Sequence, residues 1–217
     1  MALLLCASAA ALAFCLHHGY VLYYGDAQAH INIARRVLDS RTPGYEQLGT
    51  VWLPLPHVLA LPFVGNLDAW RTGLAGAIPS MVAYVIAGVC AFLAAGKLYE
   101  NRLSAWIALA AVALNANVLY LQSTPMTEVI TLASTLGAFL AVAAYHQNPK
   151  LGTAALAGVA ILAGTLTRYE TWFLIPFFAL AILLKPSTQR GKATIMFGLI
   201  AAAGPLYWLA HNRWYYL

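Results

Sequence analysis

The chain has 217 residues, 62% of them hydrophobic and 9% charged, with a formal net charge of +5. A soluble domain carries about 25% charged residues, and a water-facing fold of this length cannot hide so much apolar surface, whereas lipid tails solvate it. No Lys/Arg-rich patch with interleaved aromatics accompanies the positive charge, which sets nucleic acid aside and points to loops facing anionic lipid.

Backbone groups inside lipid must be satisfied internally, so membrane spans are helices or closed barrels. Barrel strands alternate apolar and polar residues over about 10 positions. The apolar runs here are continuous and rich in Ala and Leu. The expected fold class is therefore all-α: a polytopic transmembrane bundle of about seven spans, forming one domain over residues 1–217.

The first run, residues 1–16, lacks the basic start of a signal peptide and reads as a first span. A polar stretch over residues 17–50 follows, and the whole outer juxtamembrane loop is expected to run over 17–71. Within it, Ile33, Ala34, Val37 and Leu38 recur at helical spacing. That predicts a short amphipathic helix over 27–39 lying on the membrane surface, ended by Ser40, Thr42, Pro43 and Gly44. Residues 51–64, VWLPLPHVLALPFV, are apolar but short, and they hold three prolines. That combination suits an interfacial or re-entrant element. Six fuller runs are expected as spans at 73–95, 103–121, 127–145, 151–166, 171–184 and 193–210. Cys6, Cys15 and Cys90 fall in apolar runs without CxxC spacing and read as buried packing residues.

Charge sets the orientation. With the N-terminus in the cytoplasm, Lys97, Arg102, Lys150, Lys185, Arg190 and Lys192 lie inside. Six of the seven acids, Asp26, Asp39, Glu46, Asp68, Glu128 and Glu170, lie outside. Arg35, Arg36 and Arg41 sit in the long outer loop, where the positive-inside rule is weaker.

This topology collects Asp26, His30, His57, Glu128, Arg168, Glu170 and His211 at the outer face, from four separate segments. Polar groups converging at a membrane face are costly there and mark function. His30 lies one helical turn after Asp26. A carboxylate at that boundary accepts a proton from a hydroxyl or binds a divalent metal through oxygen. Asp26 also stands where a helix N-cap is needed. Thr124 reads as an N-cap with Pro125 as first helical residue, and Glu128 then favours the helix dipole. Arg168 is either part of an interfacial turn with Tyr169 and Trp172 or a phosphate ligand through its guanidinium fork. His57 sits in the Pro-rich element as an interfacial histidine, and Trp52, Trp70 and Trp214 read as aromatic-belt anchors.

The order of these motifs resembles the start of the GT-C membrane glycosyltransferases. The nearest branch is the bacterial one similar to dolichyl-phosphate-mannose protein mannosyltransferases, of the family 39 type. The resemblance rests on Gly25-Asp26, Ile33-Ala34-Arg35, Leu53-Pro54-Leu55-Pro56, Arg71 and the later Thr167-Arg168-Tyr169-Glu170. It implies an inverting transferase using a polyprenyl-phosphate-linked sugar, multi-pass in the plasma (inner) membrane, with its site facing the periplasm or cell exterior. The acceptor is a glycan, lipid or protein. Asp26 is then the catalytic carboxylate, and His30, Arg35, His57, Glu128, Arg168 and Glu170 bind substrate; a divalent metal at Asp26 stays open. Many members place two acids in the first motif, whereas Ala27 follows Asp26 here, leaving Glu128 and Glu170 as candidates for the second. The family is usually longer, so a fragment is expected. Two other readings remain beside this one: a transporter, on Glu128, Glu170 and the Pro/Gly-interrupted runs, and a non-catalytic membrane assembly subunit.

Overall fold

The computed structural model describes residues 1–48 and 51–216. Gly49 and Thr50 of the expected outer loop, and Leu217, lie outside the described residues. The described residues are all-helical, with no strand among them.

Helix α1 (Ala2–His18) ends at Gly19, whose φ of 71° no β-carbon opposes. Helix α2 (Gly25–Leu38) is the expected amphipathic helix, begun slightly earlier than the spacing predicts. Helix α3 (Leu55–Val64) starts on Pro56 in its first turn and carries Pro62 inside. Pro62 has no N–H for the helix ladder, which keeps the element short. Helix α4 (Leu67–Thr72) is not foreseen by the hydrophobic pattern. Asn66 nucleates it by accepting a hydrogen bond from Ala69 N at 2.9 Å.

Helix α5 (Leu74–Tyr99) descends through the bundle. The run expected as one span at 103–121 breaks into α6 (Arg102–Ala113) and α7 (Ala116–Leu121). Asn115 causes the break: its Oδ1 accepts from Asn117 N and Val118 N at 3.0 and 3.1 Å, capping a new helix. Helix α8 (Glu128–Gln147) starts later than Thr124 and Pro125 suggest. Thr124 is not its cap; its hydroxyl donates to Leu121 O at 2.7 Å instead. Helix α9 (Leu151–Thr165) leads through a 3-10 turn (Tyr169–Phe173) into α10 (Leu174–Leu184), and α11 (Arg190–Tyr216) closes the chain.

Helix α5 packs on α3, α6 and α8, α8 on α9, and α9 on α11. One apolar core joins Ala138, Tyr145, Ile161, Ile182, Phe197 and Ala201. A second joins Leu4, Tyr84, Ala87, Leu109 and Val129. Small residues bring α9 and α11 together: a β-carbon on Gly158 would lie 3.1 Å from Phe197 O, and one on Gly204 would lie 3.1 Å from Leu162 Cδ1.

Three helices, Leu74–Tyr99, Glu128–Gln147 and Arg190–Tyr216, are long and apolar enough to cross a membrane. The outward helix surfaces are apolar rather than charged, with Leu3, Phe14, Val82, Leu156, Phe177 and Leu199 exposed. Cys6, expected to pack inside, is exposed, while Cys15 is buried. Only Leu4, Ser8 and Cys15 of α1 face inward, and Cys6 lies on another side of that helix.

Hydrogen bonds join helix ends at both ends of the bundle. At one end Lys97 Nζ donates to Gln147 Oε1 at 3.1 Å, and His146 Nε2 meets Ala181 O at 2.8 Å. At the other end Tyr120 donates to Tyr20 O at 3.1 Å, and Leu55 N donates to Leu166 O at 2.9 Å.

Candidate functional site

The site grows from the packing of α2 on α3. Helix α2 buries Ala27, His30, Ile31, Ile33 and Ala34, a stripe at three- and four-residue spacing. Helix α3 buries Pro56, His57, Ala60 and Val64. The two stripes face each other, and His30 meets His57 with Nδ1 2.9 Å from Nε2. The rings are 5% and 1% exposed, so neither is the interfacial group that the Pro-rich sequence suggests for His57. The Trp52 ring stands edge-on to His30, with centroids 4.4 Å apart.

Burial makes a charged imidazole unfavourable. It lowers His30 to about 4; the Asp26 charge opposes this and the Arg168 charge adds to it. His57 falls to about 3 through burial, then through the neighbouring His30 and Arg36, with the Leu53 carbonyl acting the other way. Both rings are neutral at neutral pH. Beside them is a gap of about 10 Å³ lined by Pro56, His57, Gly76 and Pro125.

Asp26 is not the helix cap. Tyr24 holds the N-cap position of α2 without a side-chain hydrogen bond, and Asp26 falls in the first turn, exposed. There its charge favours the helix dipole. His30, one turn on, points inward, so the two residues share a helix end but not a degree of burial.

The second half of the site is an acid–arginine–acid group. Arg168 follows α9, and its backbone N donates to Gly164 O at 3.0 Å. Its Nη1 donates to Glu128 Oε1 at 2.8 Å and to Thr127 Oγ1 at 3.3 Å, and its Nη2 donates to Glu170 Oε1 at 3.0 Å. The bond to Glu170 is the largest cause raising the Arg168 guanidinium, and the same bond holds Glu170 below the usual carboxylate range. Glu128 Oε2 is sealed from solvent and has no partner. Arg168 is therefore committed to two carboxylates and is not a free phosphate ligand.

Arg35 is committed as well. Its Nη2 bonds Asp39 at 2.6 Å, its Nη1 donates to Val64 O at 2.9 Å, and its guanidinium lies over Trp70, which donates to Asn32 at 3.0 Å. It ties α2 to α3 and α4, and Trp70 serves that strut. Arg36, by contrast, is exposed and makes no ion pair or hydrogen bond among the described residues, while its charge acts on His57. Only its place beside Arg35 in the sequence hinted at it.

His211 lies at the end of α11, 5% exposed, stacked on Trp208 at 4.8 Å. Trp208 donates to Tyr169 OH at 3.0 Å, and Tyr216 donates to Glu46 O, so α11 is tied to the turn after α9 and to the outer loop. Among the described residues no three His, Cys, Asp or Glu side chains gather as a metal-binding group.

Compared with known proteins, the chain matches no family model, no curated protein and no solved structure.

One further feature adjoins the histidine pair. An apolar groove of about 590 Å³ runs between α3, α5, α8 and α9, walled by Leu55, Phe63, Val82, Ile86, Gly137 and Ala163. Ile130 lines both this groove and the gap beside the histidine pair. No periodicity announces such a groove, because its walls come from four helices.

Proposed function

We propose that the chain is a multi-pass membrane domain of a glycosyltransferase, moving a sugar from a polyprenyl-phosphate donor to an acceptor hydroxyl at the non-cytoplasmic face of the plasma membrane. One observation carries the reading. An apolar groove shares Ile130 with the gap beside His30 and His57, and the charges of Asp26 and Arg168, the latter held by Glu128 and Glu170, act on His30. An amphiphile with an apolar tail and an anionic, polar head needs that layout. Apolar side chains on the outward helix surfaces support placement in lipid.

In this reading the isoprenoid tail lies in the groove and never leaves the apolar phase. Arg36, a guanidinium without a carboxylate partner among the described residues and one whose charge acts on His57, receives the phosphate, in preference to Arg35 and Arg168. Asp26 supplies the negative charge that draws the proton from the acceptor hydroxyl. The hydroxyl oxygen bonds to the anomeric carbon as the bond from that carbon to the phosphate oxygen breaks. The phosphate leaves with the electron pair, and the configuration inverts. Glu170, whose side chain is 69% exposed, is the carboxylate of the acid–arginine–acid group open to sugar hydroxyls.

The test uses membranes containing the protein beside its Asp26→Asn variant, supplied with radiolabelled polyprenyl-phosphate sugars. Asn still suits a helix start, so loss of label transfer at equal expression isolates the charge. Wild-type protein that moves no label from any donor refutes the reading, and flux of solute without a glycosylated product would establish transport instead.

A further inference from the structure

Between α1 and α2 the chain turns aliphatic side chains inward and aromatic rings outward. Gly19 ends α1 in the left-handed region, and Tyr20 N donates back to Cys15 O at 2.8 Å. Val21 is buried, and both it and Leu22 close on Gly73, where a β-carbon would lie 2.7 Å from one and 2.8 Å from the other. Gln28 Nε2 donates to Leu22 O at 2.9 Å, and Tyr120 from α7 donates to Tyr20 O at 3.1 Å, so the turn is fixed from two sides. Tyr20, Tyr23 and Tyr24 are left 42%, 74% and 51% exposed. With Tyr120 they line a cavity of about 440 Å³. Tyr20 meets Tyr23, Tyr23 meets Tyr24 and Tyr24 meets Tyr120 edge-on, with ring centroids 6.3, 6.0 and 5.9 Å apart. None of these pairs is stacked, so the rings do not cover one another's faces. His18 backs Tyr20, stacked at 5.5 Å, and Phe14 backs His18 at 4.4 Å.

We propose that Tyr20, Tyr23, Tyr24 and Tyr120 form a binding subsite for a neutral pyranose sugar. The lining selects that class of ligand. Among the described residues no carboxylate, guanidinium or ammonium lines the cavity, so an ion finds no counter-charge there. The hydroxyls of Tyr20, Tyr23 and Tyr24 make no hydrogen bond among the described residues and are not sealed from solvent. A pyranose ring matches both features. Its C–H groups lie on the negative face of an aromatic ring, and its hydroxyls exchange hydrogen bonds with phenols, which donate and accept. A trimethylammonium group also sits on aromatic faces, but it fills a fraction of the cavity and leaves three hydroxyls unused. Aromatic-belt anchoring accounts for exposed tyrosines one at a time; it does not require two distant segments to close on one cavity. Asp26 follows Tyr24 by two residues, exposed at the same helix start. The bound sugar is therefore the end of the acceptor, which makes that acceptor a glycan. This acceptor role rests on the transferase reading, and the sugar binding does not.

The test is saturation-transfer NMR on the protein in phosphatidylglycerol nanodiscs, which contain neither sugar nor choline. The probes are the methyl pyranosides of glucose, galactose and mannose, with tetramethylammonium as the rival ligand. At least one pyranoside is expected to receive saturation from the aromatic protons. Tyr23→Ala and Tyr24→Ala remove exposed rings, so the fold is retained, and each is expected to weaken that binding about 10-fold. Tyr23→Phe keeps the ring and is expected to lose less. Tyr99→Ala removes a tyrosine 71% exposed at the end of α5 and is expected to change nothing. No saturation of any pyranoside, saturation of tetramethylammonium alone, or an equal loss in Tyr99→Ala overturns the proposal. The pyranoside that binds is also expected to lower label transfer from polyprenyl-phosphate sugars in wild-type membranes but not in Tyr23→Ala membranes; transfer unaffected by it overturns the acceptor role. Sugar binding without label transfer from any donor removes the transferase reading and leaves the subsite standing. Label transfer without pyranoside binding does the reverse.

Discussion

Replacing Arg168 by Met removes the guanidinium that two glutamates share, and the structure sets the size of the effect. Exposed ion pairs contribute about 0.2–1 kcal/mol, and removing one partner of a buried pair costs about 3–5 kcal/mol. The Arg168–Glu128 pair lies between, with both side chains 33% exposed, and Glu128 Oε2 has no access to water. The expected cost of Arg168→Met is therefore about 2 kcal/mol. Glu170, 69% exposed, adds at most a few tenths. Glu128→Gln is milder, at about 0.5–1 kcal/mol, because an amide oxygen still accepts from Arg168 and the guanidinium keeps Glu170. The two together give a coupling of about 1 kcal/mol in a double-mutant cycle. The assay is unfolding in mixed micelles by added SDS, followed by helical circular dichroism. Equal costs for the two single variants, or a coupling under about 0.3 kcal/mol, would refute the idea that sealing Glu128 makes the pair asymmetric.

Three other outcomes are expected. The histidine pair is held neutral, with His30 at about 4 and His57 at about 3 against an ordinary value of 6.5. Its contribution to stability is complete above about 6.5 and is lost as pH falls toward about 4, because the unfolded chain binds those protons first; SDS midpoints should fall across that window. The His30→Phe, His57→Leu double variant should flatten the slope. Gly204→Val forces side-chain atoms onto Leu162 and Thr165, so α9 and α11 must separate. A loss of about 1–3 kcal/mol is expected in the same assay, and an unchanged midpoint would show that the close approach is not required. Asn115→Ala removes the acceptor for Asn117 N and Val118 N, costing about 1 kcal/mol, and Asn115→Asp should restore it; failure of Asp to rescue would assign the break to packing instead.

The all-helical class was legible in the amino-acid order, since continuous apolar runs without alternation admit no other regular element. So was α2, from its stripe of apolar residues. Helix starts were less legible. Asp26 and Thr124 both look like caps, yet Tyr24 and Thr127 hold those positions. Local hydrogen-bonding chemistry names the residues able to cap, and the path of the chain into the bundle chooses among them.

The site divides along the same line. The amino-acid order placed Asp26, His30, His57, Glu128, Arg168 and Glu170 at one face, because hydropathy and charge act residue by residue. Tertiary structure decided their partnerships. Arg35 and Arg36 are neighbours in sequence, but only one is bound to a carboxylate. His30 and His57 are 27 residues apart and 2.9 Å from contact to contact atom. The groove beside them has walls from four helices. Desolvation and hydrogen bonding act between atoms that meet in space, and no spacing along the chain encodes that meeting in advance.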